Sequence, residues 1–165
     1  MARVFEGGDD ATGLRFALVV SRFNEVIGKR LLEGALRTLV ERGASEDALD
    51  VFWVPGAFEI PLVARTAAAS ERYDAVICLG AVIQGETDHY RLVADQAARG
   101  IAVASTDTGV PCIFEVLATP STELAFARAG GTAGNKGEEA ARAAIESARV
   151  LALAREHWSD DGAAS

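Results

Sequence analysis

Apolar residues recur along this chain in two alternating rhythms. Nearly continuous apolar runs, rich in β-branched residues, occupy residues 14–20, 50–54, 74–82 and 109–117, and read as strands. Between them apolar positions repeat with helical spacing. Over residues 26–42 the repeat is Ile27, Leu31, Leu32, Ala35, Leu36, Leu39 and Val40, with Gly43 placed as a C-terminal helix glycine. Residues 60–70 predict a second helix, opened by the Pro55-Gly56 break and carrying Pro61 in its first turn, where proline is tolerated. Residues 88–105 predict a third and residues 119–128 a short fourth with Ser121 and Thr122 as cap candidates. An Ala-rich closing helix follows over residues 138–157. Residues 3–6 predict a short edge strand before a turn at 7–10. Residues 130–137, dense in glycine, predict a flexible joint.

Strands that alternate with helices imply a parallel sheet covered on both faces, with right-handed crossovers. The run at 74–82 supports this, because a strand buried on both faces needs no polar alternation. The 165 residues hold no internal repeat and no long linker. The expected organisation is one α/β domain over 14–157, preceded by an extension at 1–13 and followed by a frayed tail at 158–165.

Composition narrows the function classes. Half of the residues are apolar, enough for a proper core. A net charge of −8 with scattered basic residues argues against a nucleic-acid surface. No apolar run approaches the ~20 residues of a membrane span. The first residues lack the shape of a signal peptide, so a cytoplasmic protein is the simplest expectation. The two cysteines, Cys78 and Cys112, lie in apolar strand patterns and read as small hydrophobes. They and the two histidines, His89 and His157, lack the short paired spacing of a zinc site.

Candidate chemistry gathers where three strands end, on one edge of a parallel sheet. Phe23, in Ser21-Arg22-Phe23-Asn24, suits either a shelf for a flat ligand or a hydrophobic staple on the next helix. Ala57-Phe58-Glu59 follows the second strand. Its carboxylate suits either a polyol or the positive start of a helix. The third strand ends in Ala81-Val82-Ile83, whose main-chain groups are exposed where the ladder stops, and continues into Gly85-Glu86-Thr87. That turn precedes a helix, so its N–H groups suit either an anion or a plain helix cap. His89 follows at once. It is either a proton-transfer group, since imidazole both accepts and donates protons near neutral pH, or an ordinary surface residue in a first helical turn.

These blocks, with Thr108-Gly109-Val110-Pro111, Arg128-Ala129-Gly130 and Ala133-Gly134-Asn135-Lys136-Gly137, occur in an order that resembles the 6,7-dimethyl-8-ribityllumazine synthase family. The resemblance covers roughly residues 14–156. It implies a flavodoxin-like three-layer α/β/α sandwich with a four-stranded parallel sheet, and an N-terminal segment that adds an edge strand to a neighbouring subunit. It implies a transferase of riboflavin biosynthesis that condenses 5-amino-6-(D-ribitylamino)uracil with 3,4-dihydroxy-2-butanone 4-phosphate, using no metal or organic cofactor. In that reading His89 is the acid–base group and Phe23 stacks on the pyrimidine. Ala57, Phe58 and Glu59 take the ribityl chain, and Ala81, Val82 and Ile83 take the pyrimidine edge. Gly85, Glu86 and Thr87 hold the phosphate. Arg128 reaches that phosphate from the adjacent subunit, and Phe114 of the same neighbour closes the pocket. Lys136 either faces the ligand or only caps and pairs. Gln84 departs from the family pattern, where a basic residue is common.

The implied assembly is a pentamer with active sites between adjacent subunits. The short joint at 130–137 resembles that of members forming sixty-subunit icosahedral shells, which can enclose a partner such as riboflavin synthase. Competing readings are a non-catalytic flavin or lumazine carrier, a shell protein on the same fold, and a phosphosugar-binding or receiver domain. A receiver needs clustered acids at its strand ends, where this chain carries Phe23, Glu59 and His89.

Overall fold

The computed structural model describes residues 1–163. Four parallel strands, β1 (Phe16–Ser21), β2 (Leu49–Val54), β3 (Ala75–Ile83) and β4 (Cys112–Thr119), form one sheet in the order β2-β1-β3-β4. Five helices accompany them: α1 (Glu25–Glu41), α2 (Ile60–Ala69), α3 (His89–Thr108), α4 (Thr122–Arg128) and α5 (Lys136–Ala163). A small antiparallel hairpin, β5 (Ala129–Gly131) with β6 (Gly134–Asn135), joins the last two. This is the flavodoxin-like three-layer arrangement expected from the alternation of strand and helix.

Side-chain alternation in the central strands divides the core in two. Phe16, Leu18 and Val20 of β1, with Ile77 and Leu79 of β3, pack under Ile27, Leu31 and Leu39 of α1 and Ile145 of α5. Ala17, Val19, Val76 and Cys78 face the other way, onto Ile60 and Ala64 of α2 and Ala97 and Ile101 of α3. Each large aliphatic chain so buried contributes ~1.5–3 kcal/mol. Cys78 and Cys112 are buried and free. Burial pushes both thiols up, Cys112 to about 11, so they remain protonated hydrophobes at neutral pH.

Helix ends explain most boundary differences from the sequence pattern. Gly43 does close α1: it adopts φ +103° and donates to the Val40 carbonyl, while Ala44 donates to that of Leu39, a Schellman ending. Gly109, read as the start of the fourth strand, is instead the left-handed cap of α3, at φ +71°. The strand therefore begins later, at Cys112, whose N–H is held by Ser105 Oγ at 3.0 Å. Ser121 caps α4 by accepting from Leu124 N.

Three expectations need correction. Residues 130–137 are a fixed hairpin rather than a flexible joint. Asn135 spans it, donating to the Arg30 carbonyl at 3.1 Å and accepting from Gly137 N at 2.8 Å. Residues 3–6 pair into no sheet within one chain; the segment lies along its own α5, where Arg3 Nη1 meets His157 Nε2 at 2.9 Å and Phe5 meets the His157 ring at 5.2 Å. Residues 158–163, expected to fray, continue α5, where Ser159 Oγ donates to the Arg155 carbonyl and Arg3 lies 3.8 Å from Asp161. Residues 164–165 of that expected tail lie outside the described residues.

Gly137 sits where α5 crosses α1, and a methyl there would collide with the Leu31 carbonyl. Gly137→Ala should therefore lower stability by about 2–3 kcal/mol. The urea midpoint at fixed protein concentration measures it, and an unchanged midpoint would show that the crossing is not close-packed.

Candidate functional site

The chain passes from β1 outward to β2, then returns across β1 to β3. This reversal leaves a crevice at the C-terminal ends of β1 and β3, where neighbouring strands send their helices to opposite faces. Three loops border it: the β1–α1 loop with Phe23, the β2–α2 loop with Ala57–Glu59 in a 3₁₀ turn, and the β3–α3 loop with Gly85–Thr87.

The crevice is a cavity of ≈ 380 Å³, a size that suits a small-molecule site. Phe23, Ala57, Phe58 and Glu59 line it on one side, and Ala81, Val82, Ile83, Gly85, Thr87 and His89 on the other. Tyr90 and Val93 of α3 complete the lining. Neither was singled out from the sequence. Only the orientation of α3 across the crevice turns them toward the cavity.

Each wall is built from local rules. Arg22 and Phe23 extend β1 by two further main-chain bonds, to the carbonyls of Val54 at 2.7 Å and Pro55 at 3.0 Å. They thereby hold Phe23 at the mouth, 72% exposed. Glu59 precedes α2, and its carboxylate turns back toward Gly56. Among the described residues the N–H groups of Gly85, Glu86 and Thr87 have no main-chain partner. Space beside the Gly85 Cα is open, because an added Cβ would meet nothing within 4 Å. Unpaired main-chain donors just before a 20-residue helix are of the kind that suits an anion. His89 is the first residue of that helix and is exposed; its N–H lies 3.4 Å from Thr87 Oγ1.

Four expected site residues do not line this cavity. Glu86 is exposed beside it. Phe114 is on β4, an edge strand, and is 42% exposed. Arg128 ends α4 and donates to the Leu124 carbonyl at 3.1 Å; it makes no ion pair among the described residues. Lys136 starts α5 and pairs with Glu139 at 2.9 Å. The register Ala129↔Asn135 sets Arg128 and Lys136 side by side at the open end of the hairpin. Gln84 donates its N–H to the Thr119 carbonyl, one rung beyond the β3–β4 ladder, and is not part of the cavity lining.

A slightly larger hollow of ≈ 450 Å³ lies between the end of α3 and α5. Its one charged lining residue, Arg155, is already committed to the Gly109 carbonyl at 2.7 Å. The convergence of a titratable ring, a carboxylate and free N–H groups favours the crevice instead.

Glu115 of β4 escaped the sequence reading, because an acid in a strand reads as a solvent-facing residue. Burial against the sheet edge pushes its carboxyl up to about 7; nearby Lys136 opposes this and Glu139 reinforces it. A raised carboxyl pKa stabilises the fold while the group is protonated, and that contribution is lost as pH rises from about 4.5 to about 7. Glu115→Gln should thus match the wild type near the acid end of that window. At pH 8 it should be more stable by on the order of 1 kcal/mol, discounted for solvent screening of a partly exposed group. Urea midpoints at pH 5 and pH 8 test this; a variant less stable at pH 8 would refute it.

The arrangement of fold and crevice agrees with a comparison against known families. The model of the 6,7-dimethyl-8-ribityllumazine synthase family matches residues 13–152, a span that contains all four strands of the sheet and every residue lining the crevice; the chain belongs to that family, whose members serve lumazine synthesis in riboflavin biosynthesis.

Proposed function

We propose that this chain condenses 5-amino-6-(D-ribitylamino)uracil with 3,4-dihydroxy-2-butanone 4-phosphate, releasing 6,7-dimethyl-8-ribityllumazine, phosphate and water. The observation that carries this reading is the single cavity in which Phe23, Glu59, the Ala81–Ile83 segment, Gly85, Thr87 and His89 meet. A ring shelf, main-chain groups at a strand end, a carboxylate and an anion seat match a flat pyrimidine, its edge, a polyol and a phosphate in turn.

In this reading the Phe23 ring lies on the pyrimidine face, and Ala57, Phe58 and Glu59 receive the ribityl chain. The amine of the uracil attacks the ketone, and the carbinolamine loses water. Elimination of phosphate leaves an enol that becomes a carbonyl, the ribityl-bearing nitrogen adds to that carbonyl, and a second water leaves as the ring closes. Each step moves a proton, and His89 beside the anion seat is the group to carry it. Most of the acceleration comes from holding two reactants in one cavity, worth ~7–11 kcal/mol in favourable cases. The chain's own thiols are buried and protonated, so they supply no nucleophile.

One copy of the chain leaves the site open. Phe23 and Phe58 are 72% and 60% exposed, and Phe114 and Arg128 stand outside the cavity. We assign Phe114 and Arg128 to a neighbour's site: Phe114 closes the pocket, and Arg128, which pairs with no carboxylate among the described residues, binds the phosphate through paired N–H groups. Lys136 is engaged with Glu139 and has the smaller part. The assembly that follows is a cytoplasmic pentamer and, from its short hairpin, an icosahedral shell. In it the N-terminal segment is expected to leave α5 and add a strand to a neighbour. No helix of the described residues is long and apolar enough to cross a membrane.

Mixing the chain with both substrates should generate lumazine absorbance, and its absence with folded, assembled protein would overturn the proposal. His89→Ala should lower kcat by a factor of ~10²–10⁴ and leave measurable turnover; complete loss in an assembled variant would contradict this division of labour. Light scattering should find particles far larger than a pentamer, and a lone pentamer or decamer would remove the shell.

A further inference from the structure

The ladder between β1 and β3 stops at Val20↔Leu79, while β3 runs on to Ile83 with only β4 beside it. Beyond Ser21 the main chain follows β2, through Arg22 N on Val54 O and Phe23 N on Pro55 O. A wedge therefore opens between the Phe23 loop and the end of β3, and the proposed pyrimidine site occupies it. Asn24 crosses this wedge: its Nδ2 donates to the Ala81 carbonyl at 3.0 Å.

The conformation of Asn24 is unusual in two ways. Its backbone is left-handed, φ 58° and ψ 48°, a state that asparagine tolerates better than most residues. It stands at the N-cap of α1, where an asparagine side chain ordinarily accepts from the first turn, yet it makes no such bond. Its carbonyl serves the helix instead, accepting from Ile27 N and Gly28 N. The amide is left for β3. Asn24 is not part of the cavity lining, so it acts through the groups it joins.

We propose that Asn24 is a positioning residue. Its amide is a strut that sets the gap between the Phe23 ring and the main chain of Ala81–Ile83, and so sets the fit of the flat pyrimidine. The Ala81 carbonyl keeps a second lone pair, so the strut fixes its direction beside Ile83, while Val82 turns its own main-chain groups toward β4. This inference rests on the function proposed above, and it predicts an effect confined to one of the two substrates.

Asn24→Gly separates the strut from the backbone, because glycine keeps the left-handed conformation and loses the amide. Asn24→Asp keeps the shape but replaces the donor with an acceptor facing a carbonyl. With one hydrogen bond lost, KM for the ribitylaminouracil should rise about tenfold in Asn24→Gly and at least as much in Asn24→Asp. KM for the butanone phosphate should move less than twofold, and the thermal midpoint of Asn24→Gly should stay close to that of the wild type. Direct titration with 6,7-dimethyl-8-ribityllumazine, read by fluorescence, should show the same tenfold weakening. Wild-type constants in Asn24→Gly, or an equal rise in both KM values, would overturn the strut. Wild-type protein that turns over neither substrate would instead overturn the function on which it rests.

Discussion

A parallel ladder can continue only while both strands keep their spacing, and in this molecule the two central strands part at Val20 and Leu79. Everything in the crevice is a consequence of how the main chain is satisfied beyond that point. The β1 chain finds partners on β2, and β3 finds them on β4. The main-chain groups that would have paired across the gap are either bridged by a side chain or left facing the cavity. Buried main-chain groups without partners are costly, so such a gap persists only where a strut, water or ligand fills it. Tight packing beneath the gap keeps it in place. Ser21 is fully buried against Gly80, and a methyl on that glycine would run into the Ser21 hydroxyl.

The second consequence is division of labour between the two halves of the chain. The loops after β1, β2 and β3 shape the cavity, whereas β4, α4 and the hairpin carry Phe114, Arg128 and Lys136 elsewhere on the surface. Phe23 and Phe58 are large exposed rings beside the cavity, and such rings suit the association proposed above. The hairpin is held against α1 and the start of α5. Asn135 pins it to α1, and Gly34 and Gly137 are small because that asparagine and the Leu31 carbonyl leave no room for a side chain.

Local rules account for much of this architecture. The four apolar runs became the four strands; β1 and β3 are buried on both faces, whereas the edge strand β2 leaves Val51 and Phe52 exposed. The helical stripe from Ile27 to Leu39 became the buried face of α1, and Gly43 ended it as a left-handed cap. The rules failed where two local signals competed. Gly109 was both a strand-breaking residue and a helix cap, and the helix won. Glycine density at 130–137 signalled mobility, yet contacts distant in sequence hold that segment. The N-terminal segment has strand-forming residues, yet it settles on α5 through Arg3 and Phe5 against His157 rather than on either open edge of the sheet.

The order of strands and helices, the buried stripe of α1 and the identity of the three loops could be read from residue order, since they depend on periodicity, capping and burial alone. The resemblance of the sequence blocks likewise marked Phe23, Glu59, Gly85, Thr87 and His89 before any geometry was known, and they meet in one cavity. Tyr90, Val93, the raised carboxyl of Glu115 and the reach of Asn24 to Ala81 could not be read that way. Each depends on distances between segments far apart in sequence. Tertiary packing alone decides which helix face meets a cavity, how far a carboxylate is desolvated and which carbonyl lies within reach of an amide.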